Sequence, residues 1–282
     1  MLSIKSYAKI NIALNVVDKL DNGYHVLDSI AVPLELHDTI LMNVLKSSSD
    51  TYVTIDDFSV GVIDYNIATF AIEKMSSEFN IDKKFRVFIH KVIPMQAGLG
   101  GGSSNAAFVM KGVDKLLKLK ADNEKLKEIA KGLGADVPFF IDCVPARMQG
   151  IGDVLTPITI KNNYHVLIVK PKEGLSTKDI FNKADEMTLT TCDIDKVVEA
   201  LETGNDDMLA ENIGNSLEKP AIELLPEIDK IINTLKGFGL KIVGMTGSGS
   251  AVFALSTDVK LLKKIELELE DVYKVCLTKI LK

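Results

Sequence analysis

A run of glycines and serines, Gly98-Leu99-Gly100-Gly101-Gly102-Ser103-Ser104, contains the residues of this sequence that point most directly to chemistry. Each glycine costs a helix about 0.8–1.0 kcal/mol relative to alanine, so the run indicates that something approaches the main chain closely. Apolar residues at helical spacing follow from Ala106 to Leu117. A glycine turn that opens a helix offers unpaired N–H groups and the positive end of the helix dipole, which together suit a phosphate group.

The two serines at the end of the run extend this chemistry. Ser103 and Ser104 add hydroxyls that can donate hydrogen bonds to phosphate oxygens or approach a magnesium ion. A flexible linker or a tight packing turn is the alternative, and a hydroxyl at a helix start is also an ordinary cap. No Lys-Ser or Lys-Thr pair follows the last glycine and the dinucleotide-binding spacing is missing, so the two commonest nucleotide-binding motifs are disfavoured.

The composition argues against several classes of protein. The 282 residues are 46% hydrophobic and 26% charged, which is typical of a globular chain long enough for two domains. Thirty-nine acidic residues against 33 Lys and Arg give a net charge of −6, so we expect no nucleic-acid partner. The three cysteines fit neither a disulfide framework nor a zinc site, and no apolar run approaches the length of about 20 residues that a membrane span needs. We therefore expect a cytoplasmic protein with no membrane partner.

The elements that position the glycine run are predicted from periodicity and turn residues. Strands are predicted over residues 2–17, 30–36, 39–44, 52–55, 85–93, 165–170, 241–245, 251–255 and 272–277. Helices are predicted over 66–79, from 106 onward, and over 123–133, 194–202, 208–212, 221–238 and 259–268. With a domain boundary near residue 155, this pattern predicts an α+β fold with domains 1–155 and 156–282.

Three motifs, in order along the chain, resemble those of one kinase superfamily. The segment from Pro94 to Ala107 resembles the phosphate-binding motif of the GHMP kinases, which include galactokinase, homoserine kinase, mevalonate kinase and phosphomevalonate kinase. Ala8-Lys9-Ile10-Asn11 and the segment from Met245 to Phe253 resemble two further signatures, so the resemblance covers essentially the whole chain. Gly23-Tyr24-His25 and Gly134-Ala135-Asp136-Val137-Pro138 are similar to the pieces specific to the 4-diphosphocytidyl-2-C-methyl-D-erythritol kinases.

This resemblance implies a fold and a reaction. The fold would be a two-domain α+β GHMP kinase fold with mostly antiparallel sheets. It would combine an ATP-binding N-terminal domain like ribosomal protein S5 domain 2 with an α/β-sandwich C-terminal domain. The reaction would transfer the γ-phosphate of ATP, bound with Mg²⁺, to the 2-hydroxyl of 4-diphosphocytidyl-2-C-methyl-D-erythritol, in the non-mevalonate route to isoprenoid precursors. A monomer or weak homodimer acting on this small molecule is implied.

Lys9 and Asp136 are the residues that the resemblance implies for catalysis. An aspartate near the alcohol can accept its proton, and a lysine can hold that aspartate ionised and stabilise the charge that develops. Without the motifs, Asp136 is explained as a cap or turn residue and Lys9 as a surface charge.

The resemblance also implies two sets of binding residues. The residues for ATP are Asn66, Pro94, Gly98, Leu99, Gly100, Gly101, Gly102, Ser103 and Ser104. The residues for the alcohol substrate are Asn11, Tyr24, His25, Thr177, Phe181, Gly247 and Ser248. Stacking aromatics and one edge-reading group are the minimum for a cytosine ring, and Tyr24, His25 and Phe181 match that need. Each of three residues has an alternative role. Asn66 would serve as a helix N-cap, Phe181 would pack in the core, and His25 would be a strand histidine whose ring is hydrogen-bonded within the protein.

Two other functions are compatible with these motifs. One is another small-molecule GHMP kinase, such as homoserine or mevalonate kinase, and the other is a non-catalytic nucleotide-binding paralogue. The presence of both Lys9 and Asp136 argues against the paralogue. Ser250-Ala251 stands where relatives commonly carry Pro-Thr or Gly-Cys, and Asn105 stands where many carry Asp, but neither change removes backbone amides from the glycine turns. The sequence does not identify magnesium ligands.

Overall fold

The computed structural model describes residues 1–46, 50–56 and 66–281. Its strands are β1 (Leu2–Lys19), β2 (His25–Val44), β3 (Tyr52–Ile55), β4 (Phe85–His90), β5 (Ala146–Gly150), β6 (Val154–Pro157), β7 (His165–Lys170), β8 (Ile242–Met245), β9 (Val252–Ser256) and β10 (Lys274–Lys279). Its helices are α1 (Ile67–Glu78), α2 (Gly101–Leu117), α3 (Asn123–Lys131), α4 (Phe139–Asp142), α5 (Thr177–Ala184), α6 (Ile194–Thr203), α7 (Asp206–Asn212), α8 (Glu218–Leu224), α9 (Glu227–Gly237) and α10 (Val259–Leu269).

These elements belong to two compact units, each built from several segments of the chain. The first unit comprises Met1–Ala8, Leu36–Ile93 and Gly100–Cys143. The second unit comprises Lys9–Glu35, Pro94–Leu99 and Val144–Lys282. The long strands β1 and β2 each contribute residues to both units. The domain boundary that we place near residue 155 stays a prediction.

In the first unit, β3, β4 and the C-terminal half of β2 form neighbouring strands in that order. Side chains of β4 alternate between buried and exposed, which is the period-2 pattern of a strand with one face on the core. Helix α2 packs so closely on the strands that a Cβ on Gly112 would overlap the Met42 sulfur and lie 2.9 Å from Ile4 Cδ1. This glycine therefore allows the helix that carries the glycine run to lie directly on the sheet.

The second unit contains an antiparallel sheet with the strand order β10-β7-β9-β8. Four consecutive residues of β7, from Val166 to Val169, are fully buried. One core cluster includes apolar residues of α5, α8, α9 and α10, among them Ile180, Ala221, Ile231, Leu235 and Ile265. The N-terminal half of β2 pairs with β5 from Leu27 opposite Gly150 to Ala31 opposite Ala146. Because side chains alternate along a strand, Asp28 and Ile30 share one face of β2 and Ser29 lies on the other.

Two features of the strands differ from the sequence prediction. One continuous strand, β2, replaces the strands predicted over 30–36 and 39–44. The predicted gap holds two polar residues, His37 and Asp38. Asp38 is fully buried and accepts hydrogen bonds from protein groups, so the chain has no need to turn towards solvent there. Strand β3 also pairs parallel to β4, whereas six other strand pairs are antiparallel: β2–β4, β2–β5, β5–β6, β7–β9, β7–β10 and β8–β9.

The observed helices differ from the predicted ones at one proline, Pro226. The single helix predicted over 221–238 is two helices, since α8 ends at Leu224 and α9 begins at Glu227. Pro226 has no N–H to continue α8, but its φ of −58° suits the start of α9. The sequence does not predict the short elements β5, β6, α4 and α5, because runs of four to eight residues carry little periodicity.

Among the described residues, no helix combines the length and apolarity needed to cross a membrane.

Candidate functional site

The glycine run forms the start of α2. Gly100 is the N-cap residue in the left-handed conformation, with φ 68° and ψ 16°, and it supplies no side-chain cap. No acidic residue lies in the first turn of α2. Gly102 is exposed there, and the closest atom to a Cβ at that position would be 3.8 Å away. Since the first N–H groups of a helix have no intrahelical partner, this end of α2 is suited to an anion.

The two serines of that turn differ in accessibility. Ser103 is half-buried, whereas Ser104 is fully buried. Ser104 Oγ lies 2.8 Å from Ser6 Oγ, and Ser6 also accepts a hydrogen bond of 2.9 Å from Asn105 Nδ2. Ser103 is therefore the more accessible hydroxyl of the pair.

A buried carboxylate ties together the two ends of the glycine loop. Asp38 Oδ1 accepts hydrogen bonds from the N–H groups of Val92 at 2.7 Å and Ile93 at 2.8 Å, where the chain enters the loop. Asp38 Oδ2 accepts from Asn105 Nδ2 at 2.9 Å, in α2, and also pairs with the Lys91 ammonium. We call these five residues the Asp38 clamp. Because a carboxylate offers about four acceptor positions, the clamp satisfies this buried charge.

Asn66 is the N-cap residue of α1, the alternative that the sequence left open. Its Oδ1 accepts from the N–H groups of Ala68 at 2.8 Å and Thr69 at 3.3 Å. Its Nδ2 is buried and has no hydrogen-bond partner among the described residues. A buried amide donor without a partner is costly, so this atom fits a ligand that brings an acceptor.

Asp136 is half-buried in the turn between α3 and α4. The Val137 N–H donates to the Gly134 carbonyl at 3.1 Å and closes that turn. Helix α4 begins after Pro138, which occupies the N-cap position. Asp136 is therefore not the capping residue of this helix, which removes one of its two ordinary explanations.

In the second unit, Lys9 is a buried lysine on β1. It is only 4% exposed, so the surface-charge explanation does not hold. Its Nζ donates to Asn11 Oδ1 at 2.5 Å, and Asn11 Nδ2 donates to Ser29 Oγ at 2.6 Å. The main chain at Lys9 is held as well, because its N–H donates to the Leu99 carbonyl at 3.0 Å.

The second unit also brings residues of all three motifs into contact. The Asn11 N–H donates to Thr246 Oγ1 at 2.9 Å, and Thr246 Oγ1 donates to the Gly98 carbonyl at 3.3 Å. Gly98 has φ 71°, and a Cβ there would overlap the Thr246 carbonyl oxygen. A Cβ on Gly247, with φ 56°, would lie 3.0 Å from the Gly98 carbonyl oxygen and 3.3 Å from Asn11 Oδ1. Glycines at 98 and 247 are therefore required by both conformation and space.

His25 and Phe181 form a stacked pair. Their ring centroids lie 4.6 Å apart with an interplanar angle of 21°. His25 Nε2 lies 2.7 Å from Asp185 Oδ1, and Lys19 Nζ donates to the other oxygen of Asp185 at 2.5 Å. Lys19 and His25 together hold the pKa of the Asp185 carboxyl below its usual value. The carboxylate thus fixes the plane of the His25 ring.

Among the remaining predicted substrate residues, Thr177 and Tyr24 are exposed and Ser248 is half-buried. Thr177 Oγ1, in the first turn of α5, lies 3.0 Å from Ser248 Oγ. Tyr24 follows the β1–β2 turn and is 58% exposed. The described residues contain no group of three or more His, Cys, Asp or Glu side chains arranged to hold a metal ion.

Two family models match this chain. The GHMP kinases N terminal domain matches residues 66–143, and the GHMP kinases C terminal domain matches residues 197–275. A 4-diphosphocytidyl-2-C-methyl-D-erythritol kinase of Thermodesulfovibrio yellowstonii is 36% identical over 262 residues, which cover 90% of each chain. The chain belongs to the GHMP kinase family. A kinase with the same name from Clostridium botulinum is 36% identical to this GHMP kinase over 260 residues, which cover 92% of each chain.

Solved structures agree with this assignment. The crystal structure of a 4-(cytidine 5'-diphospho)-2C-methyl-D-erythritol kinase is similar to this GHMP kinase with a TM-score of 0.82, at 27% identity and 99% coverage of both chains. A homoserine kinase from Cytophaga hutchinsonii has a TM-score of 0.75 at 16% identity and shares the fold. The predicted family, the α+β GHMP kinase fold with mostly antiparallel sheets, and the classification as an ATP-dependent kinase are confirmed. The roles of single residues stay predictions.

Three residues of this GHMP kinase lie against predicted site residues but are not among the sequence predictions: Ser29, Asp185 and Thr246. A fourth, Asp38, contacts Asn105, the residue that follows the two serines of the glycine run. A signal existed for Asp185, because Thr177, Phe181 and Asp185 recur every four residues and so share one helix face. Ser29 and Asp38 gave no such signal, since their partners depend on how distant segments come together.

Proposed function

We propose that this kinase transfers the γ-phosphate of ATP to the 2-hydroxyl of 4-diphosphocytidyl-2-C-methyl-D-erythritol. The observation that carries the choice of substrate is the stacked His25–Phe181 pair with its Asp185 support, because an aromatic face beside an oriented imidazole is what a cytosine ring needs. Relatives at 36% identity named for the same substrate support the proposal.

The start of α2 supports a role in holding the phosphates of ATP. Its first turn has neither a side-chain cap nor an acidic residue, and Gly102 leaves its exposed side open. The Nδ2 atom of Asn66, a buried donor without a partner among the described residues, suits a ring nitrogen of adenine. Mg²⁺ would arrive bound to ATP and would neutralise charge on the phosphates during transfer.

Asp136 and Lys9 are proposed for the transfer step. The alcohol oxygen forms a bond to the γ-phosphorus, the bond from that phosphorus to ADP breaks, and Asp136 accepts the hydroxyl proton. The buried ammonium of Lys9, which is oriented by Asn11, stabilises the negative charge that develops. Phosphoryl transfer relies on positioning and electrostatics of this kind more than on covalent catalysis.

Recognition of the cytosine ring is proposed for His25, Phe181 and Tyr24. If the neutral His25 ring donates Nε2–H to Asp185, its Nδ1 is an acceptor, which complements the exocyclic amine of cytosine. Phe181 supplies a stacking face, and the exposed ring of Tyr24 supplies a second aromatic surface. Thr177 and Ser248 are proposed to bind the polar part of the same substrate.

The cellular setting belongs to the same proposal. We infer a cytoplasmic enzyme that works as a monomer or a weak homodimer, with no nucleic-acid partner. The net charge of −6 and the three cysteines, which fit no disulfide framework, support this setting.

A coupled assay of ADP release with a panel of alcohols tests the proposed function. We expect turnover with the diphosphocytidyl substrate and no turnover with mevalonate or homoserine, because only the first carries a cytosine ring. Turnover with mevalonate or homoserine, together with none on the diphosphocytidyl substrate, would contradict the proposal. ATP binding without turnover on any alcohol would favour the non-catalytic paralogue.

The Phe181→Ala substitution tests the stacking role. We expect it to raise KM for the cytidine substrate by about 5- to 150-fold, because stacking of a base on an aromatic ring contributes about 1–3 kcal/mol. KM for ATP should stay within about twofold. Steady-state kinetics with each substrate varied in turn gives both values.

A matched control separates stacking from core packing. Phe238, like Phe181, is partly buried against the core of the second unit, so Phe238→Ala removes a similar amount of packing without touching His25. We expect Phe238→Ala to lower stability while leaving both KM values near wild type. Equal rises in the two KM values for Phe181→Ala would refute a stacking role.

A further inference from the structure

The carboxamide of Asn11 lies between a lysine and a serine in the interior of the second unit. Its Oδ1 is 2.5 Å from Lys9 Nζ, and its Nδ2 is 2.6 Å from Ser29 Oγ. All three residues are at most 5% exposed. These short contacts form a line from β2 through Asn11 to the ammonium of Lys9.

The chemistry of the three groups fixes the direction of this line. An ammonium can only donate, so the oxygen end of the Asn11 amide must face Lys9. The NH₂ end must then face Ser29, whose hydroxyl oxygen accepts. Without that acceptor, the buried NH₂ group would lose its partner, and the amide would lose the contact that holds its far end.

Ser29 is itself held firmly on β2. The neighbouring Asp28 accepts two hydrogen bonds from Arg147 on β5, at 2.8 Å to Nε and 2.6 Å to Nη2. Bidentate pairs of this kind add geometric specificity. Since side chains alternate along a strand, fixing Asp28 on one face of β2 also fixes Ser29 on the other.

We propose that Ser29 is a positioning residue for phosphoryl transfer, which acts by holding the Asn11 carboxamide that orients the Lys9 ammonium. Ser29 touches neither the phosphate nor the alcohol in this role. The inference rests on the proposed role of Lys9 in the transfer step, but not on which alcohol is the substrate.

The kinetic test uses three variants of Ser29. We expect Ser29→Ala to lower kcat by about 5- to 30-fold and to change KM for ATP by less than about twofold, because the lost contact acts on transition-state charge. Ser29→Thr keeps the hydroxyl and should restore kcat to within about threefold. If Ser29→Ala does not fold, Ser29→Cys carries the test, because a thiol of similar size is only a weak acceptor. Wild-type kcat in Ser29→Ala, or no recovery in a folded Ser29→Thr, would overturn the proposal.

A double-mutant cycle separates positioning from a general structural effect. If Ser29 acts only through Asn11, then adding Ser29→Ala to Asn11→Ala should change kcat by less than about twofold. If kcat of the double variant fell by the product of the two single-variant factors, the proposal would be overturned. The control is Ser216→Ala, which removes another buried serine hydroxyl, one that donates to the Thr190 carbonyl at 2.8 Å. Ser216→Ala should leave kcat unchanged.

A second readout is independent of turnover. The side-chain amide protons of Asn11 should exchange slowly with water in the wild-type protein and faster in Ser29→Ala, as measured by NMR, with no change in Ser216→Ala. Unchanged exchange in Ser29→Ala would overturn the proposal. The kinetic cycle uses whichever alcohol the wild-type enzyme phosphorylates, so a wrong substrate assignment leaves the test of Ser29 intact.

Discussion

The Asp136→Asn substitution should lower kcat by about 10²- to 10⁴-fold while ATP binds as in the wild-type enzyme. The amide has nearly the shape of the carboxylate but cannot accept the proton of the alcohol, and general-base catalysis accounts for a factor of this size. The loss should appear in kcat and in kcat/KM alike, because the contact is made in the transition state. ADP release measures turnover, and calorimetric titration with ATP measures binding.

A nearby carboxylate provides the control for this experiment. Asp142, in α4, accepts hydrogen bonds from Asn123 at 2.7 Å and Lys127 at 3.0 Å on the same unit. Asp142→Asn makes the same chemical change at a structural position, so we expect kcat within about twofold of wild type. Turnover at the wild-type rate in Asp136→Asn would remove Asp136 from the mechanism.

The Gly98→Ala substitution should reduce both stability and use of ATP. A methyl group at position 98 would overlap the Thr246 carbonyl oxygen, and the φ of 71° is strained for alanine. Together these effects should lower the free energy of unfolding by about 2–5 kcal/mol. Relief of the overlap must shift either the glycine loop or Thr246, whose hydroxyl accepts from the Asn11 N–H, so kcat/KM for ATP should fall by about 10²-fold. Thermal unfolding and steady-state kinetics measure the two effects.

Two other glycines separate the causes of this loss. Gly239 has φ 85°, but a Cβ there would meet nothing within 4 Å, so Gly239→Ala introduces the backbone strain without the overlap. Gly237, at the end of α9, has neither a positive φ nor an atom within 4 Å of a Cβ. Gly237→Ala should therefore stabilise the protein by about 0.4–1 kcal/mol. If Gly98→Ala were no more harmful than Gly239→Ala, the packing between Gly98 and Thr246 would be unimportant.

The long periodic elements could be predicted from the sequence, and the exceptions have physical causes. Helix α2 shows apolar spacing from Ala106 to Leu117, and its start is marked by glycines. The sequence prediction divides β2 at the polar pair His37 and Asp38, yet the Asp38 carboxylate is buried and satisfied by residues more than 50 positions away along the chain. Local sequence carries no information about such partners.

The residues of the candidate site also fall into those that the sequence could identify and those that depend on tertiary contacts. Residues within a motif, such as Lys9, Gly98 and Gly247, could be named as candidates from the sequence, because the order of the motifs and the glycine turns limit the roles that these residues can have. Ser29 and Thr246 contact Asn11 from positions 18 and 235 residues away, so their part depends on strand pairing and tertiary packing. A serine in a strand looks the same whether it supports a lysine or merely fills space.

The Asp38 clamp has a consequence for the entropy of ligand binding. It fixes residues 92 and 93 at one end of the glycine loop and Asn105 at the other, so few conformations remain for the loop to lose when an anion binds. The ordering cost of the loop is thereby incurred during folding rather than during binding. In the proposed role of the loop in binding phosphate, this advance ordering leaves more of the interaction energy as affinity, and the advantage depends on the buried carboxylate of Asp38.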